Sequence, residues 1–342
     1  MTRPAIQLEN VSVRYPIRKG LLRRVVGEVH AVEDISFSIN EGETVGLVGE
    51  SGSGKSTTGR ALLGLSPLSA GEVQCFGRDL RSLLAERGTL PRVSQIVFQD
   101  PYASLNPRMT VGETLREVLE VHGLATGAAA KARVNQLLAD VGLREDIAER
   151  HPHSLSGGQR QRVAIARALA IEPRFIVLDE VVSALDVSIQ GQIVNLLQDL
   201  QRTRNLTYLF ITHDLSIVSH VSHSIVVMYG GQIMEKGPRR SVFAAPLHPY
   251  TSALLSAVPI PDPKIERTRP RLDVRSEPPD PTAPLPGCRF QRSCPFATQI
   301  CRTERPPLRG LGGDTDHVAA CHRMEEPHVR EALTRTARGA LS

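Results

Sequence analysis

Residues 44–57 read Thr44-Val45-Gly46-Leu47-Val48-Gly49-Glu50-Ser51-Gly52-Ser53-Gly54-Lys55-Ser56-Thr57. A short apolar run, a glycine-rich turn and a Lys-Ser-Thr opening onto a helix pattern through Leu65 follow in that order. Gly49 to Ser56 fits G-x-x-x-x-G-K-[ST] in full, between a strand and a helix as the motif requires. Glycines let backbone N–H groups close around phosphates, and the helix N-terminus presents more donors. Lys55 can neutralise β/γ-phosphate oxygens, and Ser56 can place its hydroxyl on Mg²⁺. The residues at hand for a bound nucleotide are thus Gly49, Glu50, Ser51, Gly52, Ser53, Gly54, Lys55, Ser56 and Thr57.

Working outward, the segments before this stretch alternate like strands: Ile6 to Val13, and Ala31 to Ile39 after a basic loop. From about Asp100 to Ala170 the pattern is helical. Thr110-Val111-Gly112-Glu113 predicts a capping box, with Leu115, Val118 and Leu119 as its apolar stripe. A second helix carries Val134, Leu137, Leu138 and Val141 and stops at Gly142. Strand and helix then alternate: Phe175 to Leu178, a helix with Ile189, Ile193, Leu196, Leu197 and Leu200 on one face, Leu206 to Ile211, and Ile225 to Tyr229. Such alternation implies a mostly parallel sheet covered by helices.

Polar residues end several of these strands. Asp179 and Glu180 follow Leu178, placing Asp179 to hold Mg²⁺ and Glu180 to polarise the attacking water. Gln99 follows Gln95-Ile96-Val97-Phe98, where its amide can reach the same metal and water. His213 follows Leu209-Phe210-Ile211-Thr212, where a ring can contact the γ-phosphate. Taken singly, each is an ordinary solvated strand end; the phosphate loop gives them their meaning. Upstream, Leu155-Ser156-Gly157-Gly158-Gln159 forms a second glycine-rich helix opening.

These residues resemble the ATP-binding cassette of ABC transporters over about residues 6 to 258. The resemblance implies a P-loop NTPase of the α/β class: a mixed sheet core plus a helical subdomain (about 101–170), with a small Cys-containing C-terminal extension. It makes Leu155, Ser156, Gly157, Gly158 and Gln159 the signature that closes over the ATP of a second cassette. Small residues suit close approach of phosphate to backbone. Ser183, Ala184, Leu185 and Asp186 resemble the loop by which two cassettes sense each other, and Tyr15 falls where the family stacks a ring on adenine. One departure stands out. The family commonly has Pro after the catalytic Glu, and here Val181-Val182 follow, keeping an N–H and a freer φ.

Two further stretches resemble the oligopeptide/dipeptide importer group: Gln99-Asp100-Pro101-Tyr102-Ala103-Ser104-Leu105-Asn106-Pro107-Arg108-Met109-Thr110, and Leu247-His248-Pro249-Tyr250-Thr251 with the residues through Pro259. The tail from Pro286-Gly287-Cys288 to Cys321-His322 resembles that group's extension. The organisation expected is an ATPase domain over 1–258, a Pro-rich linker over 259–287 and an extension over 288–342. Nine prolines from Pro259 to Pro286 argue that the linker is extended. The implied activity is ATP hydrolysis with Mg²⁺, driving peptide uptake. Partners would be a second ATPase subunit (a paralogue rather than a copy), two permease subunits and an extracytoplasmic binding protein. Alternatives are an importer for nickel, glutathione or another small solute, or a soluble ABC ATPase acting on nucleic acid or ribosomes.

Composition bounds these readings. The 342 residues carry a net charge of +5, 41% hydrophobic residues, 4% aromatics and no Trp. A base-stacking platform is disfavoured, the mild basicity reads as a solvated surface, and no nucleic-acid partner is expected. No apolar run approaches the length of a membrane span. Met1-Thr2-Arg3-Pro4 leads straight into Ile6-Gln7-Leu8 without an apolar leader, which favours the cytoplasm; the resemblance to importer ATPases implies a peripheral place on the cytoplasmic face of the membrane.

Of five cysteines, Cys75 sits in an alternating segment and reads as core. Cys288, Cys294, Cys301 and Cys321 crowd the tail, with five, six and nineteen residues between them. A cytoplasmic setting disfavours disulfides. Four thiolates can hold a [4Fe–4S] cluster, which some similar importer ATPases carry in this segment, or a zinc ion, or remain free thiols.

Overall fold

The computed structural model describes residues 4–20, 24–259, 263–268, 270–274, 280–283 and 286–337. The chain divides into two compact units, each assembled from separate segments. The first comprises Met1–Ile6, Ser38–Glu43 and Gln74–Ile211; the second comprises Gln7–Phe37, Thr44–Val73 and Thr212–Ser342.

In the first unit the strands Ser94–Val97, Phe175–Asp179 and Thr207–Thr212 run parallel, with Phe175–Asp179 in the middle. Every residue of that middle strand is buried, as a central strand covered on both faces requires. The crossover to Thr207–Thr212 is the helix Val187–Arg204, ended by Asn205 in the left-handed conformation (φ 52°). Tyr208 donates its hydroxyl to Leu197 O at 3.1 Å and ties strand to helix. The helices Pro101–Ser104, Val111–Val121, Gly127–Asp140 and Gly157–Leu169 make up the helical portion. Val111–Val121 opens with the expected capping box, Thr110 accepting from Glu113 N and Glu113 accepting from Thr110 N. Cys75 is a core residue, 1% exposed, beside a tight hairpin at Phe76-Gly77 where both φ values are positive.

In the second unit Thr44–Val48 pairs in parallel with Ser224–Tyr229. Ser224–Tyr229 then turns through Gly230-Gly231 into the antiparallel strand Gln232–Pro238. The tail extends this sheet: Val318–Ala319 pairs antiparallel with Gln232–Pro238, and Arg309–Gly310 pairs with Val318–Ala319. The strand Pro4–Lys19 lies between Arg24–Asn40 and Ala70–Cys75. One apolar cluster joins Val48, Ile225, Val227 and Tyr250 to Cys288, Phe290 and Cys301. Cys288 and Cys301 therefore share a core with the strand that leads into Gly49, whereas Cys321 packs in a separate cluster with Leu247, Ala319 and Met324.

The Pro-rich stretch differs from a uniformly extended linker. Residues 263–268 form the helix Pro263–Thr268, since proline at a first helical position sacrifices only an N–H that would be unpaired anyway. Residues 260–262, 269, 275–279 and 284–285 of that stretch lie outside the described residues. Among the described residues, no helix is long and apolar enough to cross a membrane.

Candidate nucleotide site

The strand Thr44–Val48 is fully buried and delivers the chain to Gly49. A Cβ at Gly49 would lie 2.1 Å from Met228 O, and one at Gly54 would lie 2.4 Å from Ala31 O. Both positions also have positive φ, 151° and 100°, so only glycine fits. The helix Lys55–Leu62 starts directly after Gly54, and Thr58 donates to Gly54 O at 3.0 Å.

Lys55 is 4% exposed, and its ammonium donates to Gly49 O and Glu50 O, each at 2.8 Å. The lysine thus lies along the inside of the loop. Ser53 N closes the turn onto Glu50 O at 3.2 Å, and Gly231 N donates to Ser53 O at 3.0 Å. The Glu50 amide donates to the Tyr250 hydroxyl at 2.8 Å. In the same unit Tyr15 is 37% exposed and shares a hydrogen bond with Ser66 at 2.9 Å. His213 is exposed, just before the cap residue Asp214 of the helix Leu215–Val221.

In the first unit Asp179 ends its strand 4% exposed. Glu180 follows in the left-handed region (φ 50°), with its N–H given to Ile211 O at 2.9 Å. A non-glycine residue held there is strained, and such strain is common at functional sites. Gln99 donates its side-chain amide to Glu180 Oε2 at 2.8 Å, so these two strand-end residues meet across adjacent strands. Val181 and Val182 are each 1% exposed. The turn after Glu180 is closed by Ser183, whose hydroxyl donates to Glu180 O at 2.9 Å.

Leu155 is buried, and Ser156 caps Gly157–Leu169 in a capping box with Gln159. A Cβ at Gly157 would lie 3.3 Å from Leu185, and one at Gly158 would lie 2.7 Å from Ile189. Beyond leaving backbone exposed, the small residues let this helix start pack against the Ser183–Asp186 loop. Ser183, Ala184, Leu185 and Asp186 lead into Val187, which is 83% exposed.

Several contributors escape sequence reasoning. Gln190 donates to both Val182 O and Leu185 O at 3.1 Å and holds the Ser183–Asp186 loop. Arg167 is half-buried and donates to Ser104 O, tying Gly157–Leu169 to the segment after Gln99. Only the (i, i+3) spacing of the Ser156–Gln159 box is a local signal; Gln190 and Arg167 reach partners through the fold.

Cys288, Cys294, Cys301 and Cys321 line one cavity of about 20 Å³ together with His248 and Arg323. Burial pushes the Cys288 and Cys294 thiols up to about 12 and Cys321 up to about 11. The physical cause is desolvation, which disfavours the thiolate at Cys288, Cys294 and Cys321. Among the described residues no three of these side chains, nor any other three His, Cys, Asp or Glu, are arranged as metal ligands. The four cysteines line the same cavity without forming a ligand set.

Comparison with known proteins fits this geometry. A family described as "ABC transporter" matches residues 32–183, and one described as "Oligopeptide/dipeptide transporter, C-terminal region" matches residues 234–301. The oligopeptide transport ATP-binding protein AppF of Bacillus subtilis (strain 168) is 46% identical over 319 residues, covering 93% of this chain and 96% of that protein. The chain belongs to the oligopeptide/dipeptide family of ABC transporter ATP-binding proteins.

The glutathione import ATP-binding protein GsiA of Salmonella typhimurium is 56% identical over 275 residues. That match covers 80% of this chain and 44% of GsiA, so the chain spans less than half the length of that relative. Among solved structures, the ATP-binding cassette MJ0796, a dimer bound to ADP and Pi, matches with a TM-score of 0.59 at 30% identity. It covers 69% of this chain and 99% of its own. CbiO1 of Clostridium perfringens, part of the ABC transporter complex cbiONQ, matches with a TM-score of 0.59 at 26% identity, covering 70% of this chain and 91% of its own. The fold is the α/β P-loop cassette that the sequence predicts.

Proposed function

We propose that this chain is the ATP-hydrolysing subunit of an ABC importer for oligopeptides or dipeptides. The observation that carries the hydrolytic reading is the Gln99–Glu180 hydrogen bond just beyond the ends of two adjacent parallel strands. It fixes a carboxylate and an amide where a water would need orientation. Glu180 accepts that water's proton as it attacks the γ-phosphate, and Gln99 orients the carboxylate. Lys55 and the loop Gly49–Thr57 grip the phosphates, Tyr15 stacks on adenine, and His213 contacts the γ-phosphate. Ser56, Asp179 and Gln99 would hold Mg²⁺, which would neutralise charge on the phosphates.

The signature Leu155–Gln159 completes the site of a second subunit, and Ser183–Asp186 lies beside it at the same face. The packing of Gly157 and Gly158 on Leu185 and Ile189 supports a single surface made from both. ATP then favours a closed pair, because it contacts both halves only in that state, and hydrolysis releases it. The second ATPase is a paralogue. Two permeases and an extracytoplasmic binding protein complete the importer, and the chain sits peripherally on the cytoplasmic face of the membrane. The ATPase domain covers 1–258, with its helical subdomain at about 101–170. The linker covers 259–287 and the extension 288–342. The tail pocket offers four thiols for a [4Fe–4S] cluster, and no step of hydrolysis runs through it.

A second reading, glutathione as solute, draws on the likeness to GsiA. Glu180→Gln tests the core of the proposal. Turnover should fall by about 10²-fold or more while nucleotide binding persists, and undiminished hydrolysis would refute the role given to Glu180. Uptake assays with the neighbouring permeases, comparing peptides with glutathione, separate the two solutes.

A further inference from the structure

The Glu50 peptide of the phosphate loop is held on both sides. Its carbonyl accepts from Lys55 at 2.8 Å. Its amide donates at 2.8 Å to the hydroxyl of Tyr250, a residue 200 positions away. Tyr250 is 1% exposed and lies in the first turn of the helix Pro249–Ala257. Its ring is fixed on several sides. Tyr229 packs against it at 4.7 Å, and Phe290 of the tail at 5.3 Å. Phe290 stands edge-on to Tyr229 at 5.2 Å. The Tyr250 amide donates to His248 Nδ1 at 3.1 Å, and the His248 amide donates in turn to the buried Glu235 carboxylate at 2.9 Å. Burial raises the phenol above its ordinary range, so the hydroxyl stays neutral and keeps an acceptor lone pair for the loop.

A ring this constrained delivers its oxygen to one place. That place is a backbone amide of the loop whose conformation sets where the phosphate-facing N–H groups point. We infer that Tyr250 is a positioning residue for nucleotide binding, its hydroxyl clamping the Glu50 amide so that the loop is pre-shaped for phosphate. The clamp is backed by Phe290, so the tail contributes to the nucleotide site without touching nucleotide. Tyr250 is not a catalytic residue; it acts through Glu50. The inference rests on reading Gly49–Thr57 as the phosphate grip.

The test uses the full chain with Tyr250→Phe and Lys55→Ala, titrated with a fluorescent ATP analogue in Mg²⁺ and followed by amide hydrogen exchange. Tyr250→Phe keeps the ring and removes only the hydroxyl. It should weaken nucleotide affinity about three- to ten-fold, the range of a single hydrogen bond. Glu50 amide exchange should accelerate while the Thr44–Val48 amides stay unchanged. A simple packing role would lower the melting temperature but move neither readout. Unchanged affinity, or weakened affinity with an unaltered Glu50 amide, overturns the inference. If Lys55→Ala binds nucleotide as well as wild type, the phosphate-loop reading itself falls. If Lys55→Ala loses binding and Tyr250→Phe does not, only the clamp falls. Should Tyr250→Phe not fold, the wild-type chain still decides: a Glu50 amide exchanging as fast as those of Ser51 and Gly52 overturns the inference.

Discussion

Glu235 is fully buried (0% exposed) and its carboxylate gathers three donors. Leu247 N reaches Oε1 at 3.0 Å, His248 N reaches Oε2 at 2.9 Å, and His317 Nε2 reaches Oε1 at 2.7 Å. These partners belong to the segment entering Pro249–Ala257 and to the tail residue beside Val318–Ala319, so one side chain joins three parts of the second unit. Glu235→Gln preserves shape and volume but keeps only one acceptor oxygen. Its amide N–H₂ must then face at least one of the three donors, leaving a buried N–H unpaired. An unsatisfied buried donor together with the lost charge assistance should cost about 2–4 kcal/mol. Local opening around Leu247 and His248 should become easier by the same amount, so their amides should exchange about 30- to 1000-fold faster. Hydrogen exchange on the intact chain reads this directly. An increase below about three-fold at both amides would correspond to under 1 kcal/mol and would refute the argument that this carboxylate organises the tail junction.

His248 supplies a pH prediction. Burial pushes its imidazole from an ordinary 6.5 down to about 3, and its Nδ1 accepts from Tyr250 N, which requires the neutral ring. The unfolded chain takes up this proton near pH 6.5 and the native chain only near 3, so the contribution is complete above about 6.5 and lost as pH falls. Urea unfolding of wild type and His248→Gln should differ in slope by about 1.4 kcal/mol per pH unit between pH 6 and 4; parallel curves would contradict the assignment. The cysteine pocket is tested on anaerobically purified protein, where a cluster predicts bound iron and sulfide with absorption near ~400 nm. Colourless, iron-free protein with four titratable tail thiols would leave the pocket as packing alone.

Much of the framework is legible in the residues because its signals are local. The run Thr44–Val48, the capping box at Thr110–Glu113 and the glycine stop at Gly142 each depend on neighbours within one or two turns. The strand Phe175–Asp179 announces itself by being apolar throughout, as a strand buried on both faces must be. The tail strands escaped because Arg309–Gly310 and Val318–Ala319 are two residues each, too short to show any period. The short helix in the Pro-rich stretch escaped because proline content marks both extended chain and helix starts.

The same division runs through the site. Spacing alone, G-x-x-x-x-G-K-S followed by Leu178-Asp179-Glu180, determined where the glycine-rich loop between strand and helix lies and which acids end a strand. Those arrangements are fixed by chain geometry over a few residues. Only the tertiary structure decided that Gln99 meets Glu180, that Gln190 holds the loop after it, and that Tyr250 holds Glu50. These partners lie 81, 8 and 200 positions apart. The long contacts exist only after β-strands have chosen neighbours, and the short one only after a turn has brought its carbonyls over the helix. A hydrogen bond to a backbone group leaves no trace in the identity of the residue it holds, so Glu50 could not announce its clamp.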